Sequence, residues 1–171
     1  EVKKLDKNST EVTVFDLDKD GEKRKVIYHR IFDSNITKYV NLYGNGDKDE
    51  FIFEGEADNK LKVRFIGGDG KDTFKDLSTA KSGKKKVAIY DDFKKDKLKK
   101  ATTFKDKRTD IFRYNVYDRR NSDSNYDIAM VLPVLGFNPD DGLLLGGSVN
   151  YTKYGFKKEP FASVQDLRVK Y

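Results

Sequence analysis

The sequence predicts an all-β chain: a short stacked-coil or sandwich-like β-domain, followed by a linker and the first strands of a β-barrel. Three observations predict it. Short runs rich in Val, Ile, Phe and Tyr alternate with Gly, Asp and Asn clusters, which is the signature of strands and tight turns. A self-similar stretch recurs at an offset of 23 residues: VNLYGNGDKDEF at 40–51 aligns with VRFIGGDGKDTF at 63–74, and a weaker copy begins at Val87. After Tyr126 the charge density falls and the chain breaks into segments of about ten residues, the length of a tilted transmembrane β-strand.

Composition sets the limits. The 171 residues include 10 Tyr and 12 Phe, enough aromatic surface to build a core despite 37% charged residues. No apolar run reaches the length of a spanning helix, since the longest, 131–137, is broken by Pro133 and Gly136. Cys is absent, which excludes disulfides, thiolate catalysis and Cys-ligated metals. The start at Glu1 without Met leads us to expect a processed product or an excised fragment. The net charge of +6 is local: 81–108 alone carries +8. We read this stretch as a solvated connector or a contact for anionic head groups, and expect no nucleic-acid partner.

The elements follow in order. Strands are expected at 11–17, 25–32, 36–43, 50–54, 61–66, 73–77 and 86–90, with a short helix at 91–100 where two acids precede a run of Lys. The domains are therefore 1–90, a basic linker 91–125, and 126–171. Asp16, Asp18, Asp20 and Gly21 have the D-x-D-x-D-G start of an EF-hand loop, but Ile27 occupies the twelfth position where a bidentate Glu is required, so a hairpin turned by Asp20-Gly21 is the better reading. In 143–152, Leu143, Leu145, Gly147, Val149 and Tyr151 share one face, opposite Leu144, Gly146, Ser148, Asn150 and Thr152, an alternation that fits a barrel wall but that, taken alone, better suits an ordinary hairpin packed on the preceding domain.

The residues that carry chemistry are few. GGDGKDTF at 67–74 fits the glycine-aspartate pattern of calcium-binding β-rolls, although those recur every nine residues. Stacking of the two glycine turns brings Asp47, Asp49, Asp69 and Asp72 together as candidate calcium ligands, with ligand-free structural turns as the alternative. His29 is the only histidine and sits within an apolar strand, so it is read as structural. No HExxH, GxSxG or GxxxxGK[ST] occurs, and Asp91-Asp92 and Asp140-Asp141 have no accompanying base or nucleophile. No active site is expected.

VLPVLGFNPDDGLLLGGSVNYTKYGF at 131–156 resembles the opening strands of the Omp85 (bacterial surface antigen) barrel, with its apolar-Pro lead-in, Asn-Pro turn and glycine-punctuated strand. YHRIFDSNITKYVNLYGNGDKDEFIFEG at 28–55 and KLKVRFIGGDGKDTFKDLS at 60–78 resemble the β-domain preceding that barrel in envelope proteins that carry an amino-terminal calcineurin-like phosphoesterase domain. The resemblance implies an outer-membrane protein of a Gram-negative bacterium with a periplasmic β-domain, acting as a noncatalytic spacer or docking module. Its implied partners are outer-membrane lipid, through the carboxy-terminal strands, and another protein or a second copy. The phosphoesterase motifs match no position here, so any hydrolysis would belong to a domain outside this chain. Two alternatives stand beside this reading: a calcium-stabilised binding module for a protein or glycan, and an accessory part of a metallophosphoesterase.

Overall fold

A computed structural model describes residues 1–55, 60–79, 87–92, 97–98, 103–120, 126–140 and 142–171, and these form an all-β molecule. It divides into two units, Glu1–Tyr117 and Asp118–Tyr171.

The first unit is a two-sided stack of coils. Strands β4 (Tyr39–Asp47), β6 (Lys62–Gly70) and β8 (Val87–Tyr90) lie parallel in one sheet, with β10 (Phe104–Asp106) beyond β8. Strands β5 (Glu50–Gly55), β7 (Thr73–Ser78) and β9 (Lys97–Leu98) lie parallel in the other, which continues through β1 (Val2–Lys4), β2 (Ser9–Leu17) and β3 (Lys23–Asp33). The repeat is the register. Val40 pairs with Val63 and Val63 with Val87, while Leu42 pairs with Phe65 and Phe65 with Ile89. In the opposite sheet Phe51 pairs with Phe74, and Phe74 with Leu98. A sequence shift of one repeat therefore becomes a step of one strand, and like residues form columns running through the stack.

These columns build the core. Phe53, Phe65, Phe74, Leu61, Val63, Val87 and Ile89 are fully buried. The two sheets meet where the Phe51 ring lies 5.0 Å from Phe65 and 5.1 Å from Phe74, while Phe104 packs edge-on to Phe65 at 6.2 Å. Lys4 is buried beside this cluster, and its Nζ donates to the Leu61 carbonyl at 3.0 Å. The buried amine thus finds a backbone acceptor.

Several expectations need correction. No helix forms at Lys97 and Leu98, because their backbone continues the β5–β7 ladder as β9; residues 93–96 and 99–100 of the expected helix lie outside the described residues. Strands β9 and β10 extend the coils into the basic stretch, which lies inside the first unit and contributes to the stack; the boundary between the units falls after Tyr117, within the expected linker 91–125. Ile36 belongs to a turn closed by Thr37 N–H donating to the Asp33 carbonyl at 2.7 Å, and β4 starts three residues later. The Asp20-Gly21 hairpin forms as expected, with the Asp18 carboxylate accepting the Asp20 and Glu22 amides and Gly21 at φ +87°.

The second unit is a three-stranded antiparallel meander, β11 (Ile128–Asn138), β12 (Gly142–Lys153) and β13 (Ser163–Lys170).

Candidate functional site

In the first unit, the corners that follow β4 and β6 bring equivalent aspartates inward. Asp72 is buried, and its Oδ1 accepts the Asp49 backbone N–H at 2.8 Å, so the carboxylate of one coil caps the chain of the preceding coil. Thr73 N–H donates to the Asp49 carbonyl at 2.9 Å, closing the same step. Asp91 is also buried, and its Oδ1 accepts the Asp92 N–H.

Glycine makes room for this column. A side chain on Gly44 would strike the Asp49 carboxylate, and one on Gly67 would strike the carboxylates of both Asp72 and Asp91. The three inward acids thus follow one line through the stack, each against a glycine α-carbon. The Asp49 Oδ2 is buried without a hydrogen-bond partner. Burial, reinforced by the neighbouring charges of Asp72 and Asp47, raises the Asp49 pKa to about 6. An open cleft of about 1010 Å³, bordered by Phe15, Leu17, Tyr43 and Phe51, reaches Asp47 and Asp49.

The expected quartet is split by this geometry. Asp49 and Asp72 turn inward and meet through the backbone, whereas Asp47 and Asp69 are exposed. Asp91 replaces the outer pair as the third inward carboxylate. The repeat did not point to it, since the weak copy starting at Val87 aligns Asp91 with Gly67 at an offset of 24, a glycine position of the earlier coil. Among the described residues, no group of three or more His, Cys, Asp or Glu side chains is arranged to hold a metal ion. His29 lies in β3, exposed, with its Nε2 2.8 Å from Glu11 Oε1 across the hairpin.

The second unit offers a surface. Residues paired across antiparallel strands point to the same side, so register assigns every side chain to a face. One face carries Val131, Leu135 and Phe137 from β11, Leu143, Leu145, Val149 and Tyr151 from β12, and Leu167 and Val169 from β13. Most are strongly exposed: Val131 at 70%, Leu135 at 76% and Leu143 at 66%. The other face is mixed. It has Ile128, Met130, Leu132 and Val134 on β11, Leu144 with Gly146, Ser148, Asn150 and Thr152 on β12, and Val164 with Asp166, Arg168 and Lys170 on β13, so it is apolar on β11 and polar mainly on β12 and β13. There Asp166 accepts from Arg168 Nε at 2.8 Å and from Asn150 Nδ2 at 3.4 Å, forming a polar ladder. The expected face assignment of β12 is therefore reproduced, and the neighbouring strands extend it.

No family model, curated protein or solved structure matches the chain.

Proposed function

We propose that this chain is a noncatalytic β-stack joined to a membrane-inserting β-meander, acting as a spacer or docking module in a bacterial outer-membrane protein. The observation that carries the reading is the apolar face shared by all three strands of the meander. From Ala129 to Phe137 the lipid-facing row of β11 runs about 27 Å along the strand at ~3.4 Å per residue, comparable to the ~25 Å apolar band of outer-membrane barrels once strand tilt is allowed for. A row of exposed apolar side chains shared by three strands is the kind of surface that marks an interaction or membrane site, and in lipid it is satisfied directly.

The opposite face supports the same reading. A barrel wall has lipid on one side and a polar lumen on the other, and the Ser148–Asn150–Thr152 row with Asp166 and Arg168 has lumen chemistry. The strands at both edges, β11 and β13, need further antiparallel neighbours, because three strands do not close a barrel. Cyclic association of this meander alone places β13 beside the next copy's β11 in parallel, so an all-antiparallel wall needs additional strands of another kind. The likeness of 131–156 to the Omp85 barrel opening fits this requirement.

The chain contains no Trp, so a single introduced Trp reports its own surroundings. With phosphatidylcholine vesicles, Leu145→Trp emission shifts to the blue and is quenched by brominated acyl chains, while Asn150→Trp emission stays near its value in water. Equal, unquenched emission from both variants overturns the proposal.

A further inference from the structure

The lipid-facing row of β12 reads Leu143, Leu145, Gly147, Val149, Tyr151 and Lys153 in order of position. Apolar, then aromatic, then basic is the order met by a strand leaving hydrocarbon for the head-group region. At ~3.4 Å per residue, Lys153 lies about 14 Å beyond Val149 along the strand.

The connection after β12 continues this chemistry with Tyr154, Phe156, Lys157, Lys158 and Phe161. Lys157 Nζ rests 5.5 Å from the centre of the Phe156 ring, and Lys153 and Lys158 are exposed. Three acids share this end, and one of them, Asp118, lies near enough to Lys157 to favour its charged form. Asp127 is engaged by the meander itself, accepting the Tyr151 hydroxyl at 3.0 Å and the Tyr154 N–H at 2.8 Å, and Glu159 is exposed. At the other end the same face finishes in Phe137, Leu143 and Tyr171 beside Asn138 and Asp140, with no lysine on that face. Lys170 lies on the polar side, paired with Gly146. Lysines on the lipid-facing side thus gather at one end only, among three acids, while both ends share an aromatic border.

We propose that the Lys153–Lys158 end of the meander docks against the phosphate groups of anionic phospholipid, with Lys153 reaching the head groups from the lipid-facing row and Lys158 beside it. This rests on the membrane-inserting reading given above, and it adds which lipid chemistry is recognised and at which end.

The full chain carrying Leu145→Trp is titrated with phosphatidylcholine vesicles, with and without a minority of phosphatidylglycerol, and partitioning is read by flotation. Phosphatidylglycerol strengthens partitioning, by about fivefold for each lysine that reaches the anionic surface. Added salt weakens the preference. The Lys153→Gln, Lys158→Gln double variant loses most of it, while the Leu145→Trp reporter keeps its blue-shifted emission in phosphatidylcholine. If the double variant keeps the full preference, the basic stretch 81–108 accounts for it and the proposal is overturned. An absent preference in the parent chain overturns it equally. Failure of the reporter emission to shift in any vesicle identifies a failure of the membrane reading instead.

Discussion

Gly67 illustrates how one residue can be fixed by its neighbours. Its α-carbon faces the carboxylates of Asp72 and Asp91, so Gly67→Ala forces a methyl group into oxygen atoms at a corner where both sheets are anchored. We expect it to destabilise the stack by about 1–3 kcal/mol, the usual range for overpacking, as measured by urea unfolding. An unchanged midpoint would show that the corner can move aside. Asp49 gives a second prediction, with a defined sign. Its folded pKa of about 6 lies above the ordinary carboxylate value near 3.9, so folding favours its protonated form. That contribution is fully present below about pH 4 and is lost as pH rises through about 6. Asp49→Asn, which keeps the backbone N–H bonded to Asp72, should therefore raise the melting temperature more at pH 7.5 than at pH 4.5. An equal effect at both values would mean that the Asp49 carboxylate is better solvated than its burial indicates.

Among the elements, the 23-residue offset was the most informative pattern in the sequence, because in parallel coils sequence offset and strand register are the same quantity. Val40, Val63 and Val87 could be placed in one column from the repeat alone, and so could the meeting of Asp49 with Asp72. The direction of the side chains could not. Asp47 and Asp49 are two residues apart and would share a face in an uninterrupted strand, but Asp47 adopts φ +71° at the end of β4 and the chain turns between them. Strands β1, β9 and β10 were missed because they are two or three residues long and gain their identity from neighbours, with no period of their own to read. The run of lysines around β9 carries a helical charge pattern that tertiary pairing overrides at Lys97-Leu98. The Phe columns make a prediction at this scale. Phe65 contacts Phe51, Phe74 and Phe104, so Phe65→Ala should cost about 3–5 kcal/mol, near the full stability of a small domain. Because Asp47 and Asp69 face solvent, calcium should leave the melting temperature close to its value in chelator. Submicromolar calcium affinity by calorimetry, lost in Asp72→Ala, would show that the corners close around a cation.

For the whole molecule, the two units place different demands on their surroundings. The first unit buries its aromatic columns between its own sheets, whereas the second exposes apolar side chains along all three of its strands. A fragment ending at Tyr117 should thus remain folded and become more soluble and more monomeric than the full chain; loss of strand circular dichroism and cooperative melting would show that the stack depends on the meander. The alternation of β12 was readable from sequence alone. That it joins with β11 and β13 into one apolar surface required the register, since neither β11, apolar on both faces, nor β13, polar at one end, shows the pattern clearly by itself. The central claim is that this surface faces lipid. Its most direct test is a nitroxide scan along positions 143–151 of the full chain in phosphatidylcholine vesicles, measuring accessibility to oxygen and to a water-soluble nickel chelate. The account predicts a two-residue period, with 143, 145, 147, 149 and 151 open to oxygen and 144, 146, 148 and 150 open to nickel. Nickel accessibility at every position, with no alternation, would contradict it.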